Sequence, residues 1–196
     1  KENRINDIKR DVDKMYVILP FEKTFYENKH HYPVEFVGHP LLDAIADRTQ
    51  VDEYEFRKQY ALSDKPIIAL LPGSRKQEIS KMLSVMLSVV DKFPKHQFVI
   101  AGAPSQDFNF YKTFIKNKNI SFVSNKTYDL LSLSVAALVT SGTATLETAI
   151  FKIPQVVCYK GSWLSYQIGK RLVNLKYISL VNLIMDKEVV KELIQD

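Results

Sequence analysis

The chain has almost no cysteine, and this limits the chemistry that its sequence can support. Cys158 is the only cysteine among 196 residues, so an intramolecular disulfide is excluded and a reducing compartment fits the composition. It lies in the apolar run VVCY at 156–159, which favours a buried, inert thiol over a nucleophile. No Cys/His cluster has the spacing of zinc ligands, so the sequence predicts no zinc site.

Long apolar runs and a common nucleotide-binding motif are also missing. No run reaches the length of a membrane span, and no segment reads as a signal peptide. No Gly-x-Gly-x-x-Gly follows a predicted strand, which argues against a dinucleotide dehydrogenase. We therefore expect no dinucleotide cofactor.

Acidic residues are fewer than basic residues. The formal net charge is +5 at pH 7, which favours anionic partners without identifying them. No recognised nucleic-acid-binding motif accompanies the basic residues, so we expect no nucleic-acid partner. An anionic membrane surface and an anionic glycolipid fit this charge equally well.

The most informative segment is ALVTSGTATLE at 137–147, where an apolar run passes through Ser-Gly-Thr into a helix-forming stretch. The unpaired N–H groups at a helix start, together with the helix dipole, bind phosphates. Gly142 lets the backbone approach an anion, and Thr143 is expected to cap the helix and to offer a hydroxyl. Thr143 and Glu147 share one helix face. The junction therefore predicts a nucleotide site, with the diphosphate at Gly142 and the ribose diol on Glu147.

A second strand–turn–helix junction resembles the first. Residues 67–71 read as a buried strand, Pro-Gly-Ser-Arg at 72–75 turns the chain, and apolar residues at helical spacing predict a helix over 77–93. Arg75 stands at the turn, where its fork of donors suits a phosphate. Ligands of open α/β sheets lie outside the carboxyl ends of the strands. We therefore expect both loops to border the ligand site.

Predicted strands and helices alternate along the chain. The predicted strands are residues 15–19, 34–37, 67–71, 97–101, 121–123, 137–140 and 155–159. The predicted helices are residues 21–28, 52–60, 77–93, 108–116, 127–134, 143–151 and 162–173. This alternation predicts an α/β fold with a Rossmann-like, doubly wound parallel sheet.

Several segments together resemble one enzyme family. The loops LPGSRKQEI at 71–79 and SGTATLE at 141–147 look like the signature loops of lipid-A-disaccharide synthase. Their order and spacing agree with further stretches: LPFE at 19–22, FVGHPLLD at 36–43, KRLV at 170–173 and YISLVNL at 177–183. The resemblance covers nearly the whole chain and implies the GT-B glycosyltransferase fold, in which two Rossmann-like domains face a cleft.

The resemblance also implies a domain division. Residues 1–37 look like the tail end of the N-terminal catalytic domain, and residues 38–196 look like the UDP-sugar-binding C-terminal half of the GT-B fold. The family's Gly-Glu-x-Ser-Gly-Asp-like motif is not found, and KELIQ at 191–195 resembles an internal segment of the family. We therefore expect a fragment truncated at both ends that is inactive alone, with the general base in the N-terminal domain.

The activity implied by the resemblance is an inverting hexosyl transfer of lipid A biosynthesis. The family transfers 2,3-diacylglucosamine from UDP to 2,3-diacylglucosamine 1-phosphate, forms a β-1,6 linkage and releases UDP. We expect these two substrates as partners and a location in the cytoplasm, peripheral on the inner membrane of a Gram-negative bacterium. The sequence does not decide between a monomer and a homodimer. No metal is required if the helix dipole and Arg75 neutralise the leaving group.

The resemblance assigns roles to individual residues. Arg75 would be catalytic, because it would neutralise charge on the departing UDP. Glu22 and His39 are candidates for the cleft, with a helix first turn and a rigid turn as their structural alternatives. Asn182 follows Val181, where the family usually has proline. The residues expected to bind the nucleotide or substrate are Gly73, Ser74, Ser141, Gly142, Thr143, Ala144, Glu147, Asn182 and Gln195.

Two other interpretations stay open. An enzyme like UDP-N-acetylglucosamine 2-epimerase shares the architecture and a similar Gly-Thr…Glu helix, although its loops match 71–79 less well. A non-catalytic UDP-binding fragment is the second alternative. The basic and aromatic stretch 159–177 reads as an amphipathic helix on the sheet, with a membrane-facing surface as the alternative.

Overall fold

A computed structural model describes residues 4–115, 120–160 and 176–194. The chain divides into two compact units, Lys1–Arg48 and Thr49–Asp196. The division between units lies after Arg48, later than the boundary at residue 37 that the sequence suggested. The assignment of residues 1–37 to the family's N-terminal domain stays a prediction.

The first unit contains a two-stranded parallel pairing and short helices. Its helices and strands are α1 (Arg4–Asp11), β1 (Tyr16–Val17), α2 (Pro20–Thr24), a π-helical turn (Phe25–Lys29), β2 (Glu35–Phe36) and α3 (Leu41–Ala46). Strands β1 and β2 pair in parallel, within the predicted strands. The helix predicted over 21–28 is an α-helix that continues as a π-helical turn, and α1 and α3 were not predicted.

The second unit alternates strands and helices as predicted. Its elements are α4 (Glu53–Gln59), β3 (Ile67–Leu71), α5 (Lys76–Leu87), a 3-10 turn (Val90–Lys92), β4 (Gln97–Gly102), α6 (Phe108–Ile115), β5 (Ile120–Ser124), α7 (Thr127–Ser132), β6 (Ser134–Thr140), α8 (Thr143–Ile150), β7 (Gln155–Tyr159), α9 (Leu180–Met185) and β8 (Lys191–Ile194).

Six strands of this unit form one sheet in the order β5-β4-β3-β6-β7-β8. All five pairings are parallel. From β3 the sheet is extended on one side by β4 and then β5. The chain then crosses back and extends the sheet on the other side of β3 by β6, β7 and β8. The strand order therefore reverses between β3 and β6. This is a doubly wound sheet, and the predicted fold class is confirmed. In such sheets a crevice forms at the point of reversal, outside the carboxyl ends of the strands.

The central strands of the sheet are buried on both faces. All residues of β3 and β4 are buried, as expected for parallel strands covered by helices. On one face the apolar side of α5, including Ile79 and Met86, packs on the strands. On the other face Phe56 of α4 and Leu130 of α7 pack against β3 and β6.

Several predicted boundaries are wrong. Helix α5 ends at Leu87 rather than at 93, because a 3-10 turn precedes Pro94. Helix α7 ends at Ser132, and β6 starts at Ser134, whose hydroxyl donates to the Leu130 carbonyl at 2.7 Å. Helix α9 and strand β8 were not predicted. The helix predicted over 162–173 lies outside the described residues.

The thiol of Cys158 behaves as the sequence predicted. Its side chain is buried in β7, and burial raises the pKa of the thiol above its ordinary value. A buried, protonated thiol is a poor nucleophile. Among the described residues, no helix is long and apolar enough to span a bilayer.

Candidate functional site

A cavity of about 430 Å³ lies at the carboxyl ends of β3, β4 and β6, where the strand order reverses. A volume of this size falls within the range of about 300–1,000 Å³ that is usual for small-molecule sites. It brings together both loops that the sequence singled out. The lining residues are Leu71, Gly73, Ser74, Arg75, Glu78, Ala101, Gly102, Ala103, Pro104, Thr127, Thr140, Ser141, Gly142, Thr143, Ala144 and Glu147.

The loop from β6 to α8 opens directly into this cavity. Gly142 is the N-cap of α8, with φ 154° and ψ −163°, and no described side chain caps the helix. A Cβ at Gly142 would meet nothing within 4 Å, so glycine is favoured here by its backbone conformation and not by a lack of space for a side chain. The predicted cap by Thr143 is wrong, because Thr143 is the first residue of the helix. The α8 N-terminus therefore presents its N–H groups to the cavity.

Glu147 lies one turn further along α8 and also lines the cavity. The Tyr128 hydroxyl donates to Glu147 Oε1 at 3.1 Å. Burial, and then the charge and hydrogen bond of Glu147, raise the pKa of Tyr128 to about 12. Tyr128 therefore remains a neutral donor near neutral pH and fixes one oxygen of the carboxylate on the cavity wall.

The loop from β3 to α5 differs from the first, because its own helix fills the turn. Glu78 Oε2 accepts from the Ser74 N–H at 3.1 Å. Gly73 has φ 106°, and a Cβ there would overlap the Glu78 carboxylate. The Glu78 carboxylate thus occupies the Ser74 N–H, a backbone donor that a bound anion would otherwise use.

Arg75 is the N-cap of α5, and its side chain is exposed at the cavity. Among the described residues, Arg75 belongs to none of the ion pairs within 4.0 Å. Because the Glu78 carboxylate already lies in this turn and takes the Ser74 N–H, the exposed side chain of Arg75 is the positive group that the loop offers to an anion. Arg75 thus occupies the position that the sequence predicted for it, at a strand's carboxyl end.

Ser141 has a different hydrogen bond from the one expected. Its hydroxyl donates to the Ile178 carbonyl at 2.8 Å, and a carbonyl only accepts. The hydrogen of this hydroxyl is therefore used within the protein. Ser141 lines the cavity, but its hydroxyl is not a donor to a phosphate in this arrangement.

Asn182 is fully buried and lies outside the cavity lining. Its Oδ1 accepts from the Val189 and Val190 N–H groups at 2.8 and 2.9 Å. Its Nδ2 donates to the Val190 carbonyl and to Glu192 Oε1, both at 2.8 Å. These contacts leave the amide no hydrogen-bonding group for a ligand, so Asn182 holds the segment from α9 to β8 together. Gln195 lies outside the described residues.

Glu22 and His39, the two cleft candidates of the first unit, both bond to nearby backbone. Glu22 Oε2 accepts from the Leu19 N–H at 2.9 Å and the Ile18 N–H at 3.2 Å, which caps the start of α2. His39 Nδ1 accepts from the Leu41 N–H at 3.2 Å, at the start of α3. These contacts favour the structural alternatives for both residues.

Three side chains that form hydrogen bonds near the site were not predicted from the sequence. Glu78 and Tyr128 are described above, and Glu192 of β8 binds the segment that Ser141 contacts. Burial alone would raise the pKa of Glu192, but donors from Ile178, Ser179 and Asn182 outweigh it and hold that pKa below its ordinary value. The N-cap of α5 is Arg75 and not a Ser, Thr, Asp or Asn, so the capping-box pattern did not single out Glu78. No sequence signal pairs Tyr128 with Glu147 across two helices.

Titratable groups do not assemble into a metal site in the part of the chain that is described. No cluster of three or more His, Cys, Asp or Glu side chains is present within residues 4–115, 120–160 and 176–194. The charged groups lining the cavity are Arg75, Glu78 and Glu147. The arrangement thus offers one guanidinium, one open helix N-terminus and one carboxylate to a ligand.

Solved structures resemble this fold at low sequence identity. TarM aligns with a TM-score of 0.56 and 14% identity over 99% of this chain and 36% of TarM. The UDP-GlcNAc 2-epimerase of Methanocaldococcus jannaschii, in complex with UDP-GlcNAc and UDP, aligns with a TM-score of 0.53 and 13% identity over 83% of this chain and 44% of its own. Anabaena Alr3699/HepE with UDP-glucose gives a TM-score of 0.52 and 9% identity over 84% and 50% of the two chains. At these identities the likeness concerns the fold alone, and it agrees with one half of a GT-B enzyme.

Curated sequences are far more similar. Lipid-A-disaccharide synthase 1 of Legionella pneumophila (strain Paris) is 38% identical over 202 residues, which cover 100% of this chain and 52% of the relative. The lipid-A-disaccharide synthase of Syntrophus aciditrophicus (strain SB) is 40% identical over the same shares of both chains. This chain therefore spans about half the length of these relatives.

The family model described as lipid-A-disaccharide synthetase matches residues 1–196. The match includes both loops that border the cavity, at 71–79 and 141–147. The resemblance stated from the sequence is confirmed: the chain belongs to the lipid-A-disaccharide synthetase family.

Proposed function

We propose that this chain carries the donor-nucleotide half of a lipid-A-disaccharide synthase and binds a UDP-sugar in the cavity at β3, β4 and β6. The observation that carries the proposal is one cavity that combines an open helix N-terminus, a guanidinium and a carboxylate. These groups match the parts of a nucleoside diphosphate. Family membership and the UDP complexes of two structural neighbours support the same ligand.

The diphosphate would bind at the start of α8. The backbone N–H groups there and the helix dipole favour a negative charge. Gly142 lets the phosphate approach the backbone closely, and the Thr143 hydroxyl adds a donor at the cavity wall. Ser141 would support this loop rather than bind the phosphate, since its hydroxyl already donates to Ile178.

The ribose would bind to Glu147. One turn of α8 separates Glu147 from Thr143, so a nucleotide held at the helix start extends its sugar toward this carboxylate. Tyr128 holds Oε1, and the remaining lone pairs of the carboxylate accept from the ribose hydroxyls. This assigns the two ends of the cavity to the diphosphate and the ribose.

Arg75 would stabilise the leaving group. Negative charge grows on the β-phosphate as the glycosidic bond breaks, and a preorganised guanidinium stabilises that charge more in the transition state than in the ground state. The backbone of the same loop is already bonded to Glu78, so Arg75 acts there through its side chain. Together with the α8 dipole it would take the place of a metal ion.

The reaction of the full-length protein would be an inverting transfer. A 2,3-diacylglucosamine passes from UDP to the 6-hydroxyl of 2,3-diacylglucosamine 1-phosphate, a β-1,6 linkage forms, and UDP leaves. We propose that the base taking the acceptor proton lies in the half of the protein that this chain does not cover. The acylated substrates and the net charge of +5 support a position on the cytoplasmic surface of an anionic bacterial membrane.

The epimerase and the non-catalytic UDP-binding fragment, the two alternative functions, differ in how well they agree with the comparisons. The epimerase interpretation is supported at the level of the fold, for example by a neighbour at 13% identity, whereas the family match spans the whole chain. A non-catalytic UDP-binding role for the 196-residue chain by itself agrees with our proposal and differs only in turnover.

Calorimetry on the 196-residue chain tests the nucleotide assignment. We expect UDP to bind in preference to ADP and NAD, with uridine and pyrophosphate each binding more weakly because each fills one end of the cavity. Absence of UDP binding at millimolar concentration to the folded chain would contradict the proposal. Turnover assays on the same sample separate a binding module from an enzyme.

A further inference from the structure

We propose that Glu192 is a positioning residue for the nucleotide loop, because it fixes the Ile178–Ser179 peptide that in turn fixes Ser141 at the start of α8. The consequence for ligand binding rests on the proposed function, which places the diphosphate at this loop. The positioning itself is a property of the ligand-free chain.

The Glu192 carboxylate is the centre of a polar cluster at the sheet edge. Its Oε2 accepts from the Ile178 N–H at 3.0 Å. Its Oε1 accepts from the Ser179 N–H at 2.9 Å, the Ser179 hydroxyl at 2.7 Å and Asn182 Nδ2 at 2.8 Å. Ser179 and Asn182 are both fully buried, so these donors have no water to replace the carboxylate.

One peptide unit connects this cluster to the nucleotide loop. The N–H of Ser179 donates to Glu192, and the carbonyl of Ile178 in the same peptide accepts from the Ser141 hydroxyl at 2.8 Å. A peptide bonded at both its N–H and its C=O is held in orientation, and such chains of hydrogen bonds polarise one another. Glu192 thus acts on Ser141 without touching it.

The loop needs such support because of Gly142. This residue has φ 154°, a backbone conformation that glycine adopts freely and other residues rarely adopt, so the glycine by itself does not hold the loop in one orientation. No described side chain caps α8. The hydroxyl of Ser141, next to Gly142, ties the loop to the segment before α9.

A carboxylate suits this position better than an amide. An ionised carboxylate only accepts, and it has about four lone-pair sites, whereas a glutamine would direct an NH₂ group at one of the N–H donors. Glu188 provides a matched comparison in the same segment, since its carboxylate is exposed and pairs only with Lys191 at 3.1 Å among the described residues.

The test compares Glu192→Gln with Glu188→Gln in the ligand-free 196-residue chain. Backbone amide signals of Gly142 and Thr143 are recorded by NMR, well below the unfolding midpoint of each variant. We expect Glu192→Gln to move these signals and Glu188→Gln to leave them in place. Unchanged Gly142 and Thr143 signals in folded Glu192→Gln would overturn the proposal.

Binding measurements then test the path through Ser141. We expect Glu192→Gln and Ser141→Ala each to weaken UDP binding by about fivefold, the usual effect of one lost hydrogen bond. Since both act through one peptide, the double variant should be no more than about twofold weaker than either single variant. Full additivity of the two losses would contradict the proposed path.

The two proposals fail in different ways. If the unmodified chain bound no UDP, the proposed function would be contradicted while the amide signals still decided the role of Glu192. If Glu192→Gln did not fold, Glu192→Asp, which keeps the charge but shortens the side chain by one methylene, would take its place. Unmoved Gly142 and Thr143 signals in that variant would equally overturn the proposal.

Discussion

The two loops at the cavity have the same strand–turn–helix design, but their helix starts are used differently. At α5 the Glu78 carboxylate accepts from the Ser74 N–H, one residue before the N-cap Arg75, so a negative charge of the chain already lies in this turn, the closed loop, which offers the Arg75 side chain. At α8 no described side chain caps Gly142, and the helix start remains open to the cavity. One loop therefore supplies a charged side chain, and the other supplies backbone donors. Similar sequence patterns at two strand ends thus predict a shared location but not a shared role.

The largest expected effect comes from removing the charge of the closed loop. In the full-length protein with a water-soluble acceptor, Arg75→Ala should lower kcat by about 100-fold or more and raise the donor KM much less, because the guanidinium acts on charge that develops in the transition state. Arg75→Lys should recover only part of the rate, since an ammonium lacks the two-pronged contact. An effect on KM alone would make Arg75 a plain binding residue.

The next effect concerns the carboxylate on the helix of the open loop. Glu147→Gln should weaken UDP binding by roughly 10- to 100-fold, since a hydrogen bond to a charged group is worth about 1.5–3 kcal/mol. Binding of 2′,3′-dideoxy-UDP should hardly change, because that ligand lacks both hydroxyls. Calorimetry with the two ligands on the 196-residue chain is the measurement. Equal losses for both ligands would mean that Glu147 is structural.

The open backbone itself is tested at Gly142. Gly142→Ala should weaken UDP binding by about tenfold, because a side chain at φ 154° costs on the order of 1–3 kcal/mol and displaces the loop from this conformation. Gly38→Ala is the control, since Gly38 also has positive φ, 83°, and open space around its missing Cβ. The same loss of UDP affinity in both variants would point to general destabilisation and not to the loop.

The smallest effect on binding is expected from opening the closed loop. Glu78→Ala should lower the free energy of unfolding by about 1 kcal/mol, as for one lost hydrogen bond, and change UDP affinity by less than about twofold. Asp52→Ala is its match, since Asp52 Oδ1 caps α4 by accepting from the Glu55 N–H at 3.1 Å. Denaturant unfolding and calorimetry on both variants give the comparison. A large loss of UDP affinity for Glu78→Ala alone would mean that the α5 turn also binds the ligand.

The sequence predicted best the parts whose burial is uniform. The bounds of β3 match residue for residue, because a parallel strand covered on both faces reads as a short continuous apolar run between turn signals. The bounds of β7 match as well, although its burial is not uniform and Tyr159 is exposed. The open α8 loop was also predicted, since Ser-Gly-Thr after such a run has few other interpretations.

What the sequence did not predict depends on tertiary contacts. Helix α9 is apolar on nearly every side, so it shows no helical periodicity, although its N-cap Ser179 was a usable signal. Strand β8 alternates exposed and half-buried residues at a sheet edge, a weak pattern in a charged segment. The direction of the Glu78 side chain and the bond of Ser141 to Ile178 depend on rotamers and on distant segments, which no local pattern specifies.

The central claim is that the diphosphate binds to the backbone N–H groups of the open loop, whereas the closed loop reaches it only through the Arg75 side chain. A UDP titration followed by backbone amide NMR on the 196-residue chain tests it most directly. We predict the largest amide shifts at Gly142, Thr143 and Ala144, with small shifts at Gly73 and Ser74. Saturating shifts centred on Gly73 and Ser74, with Gly142 and Thr143 unmoved, would contradict the account.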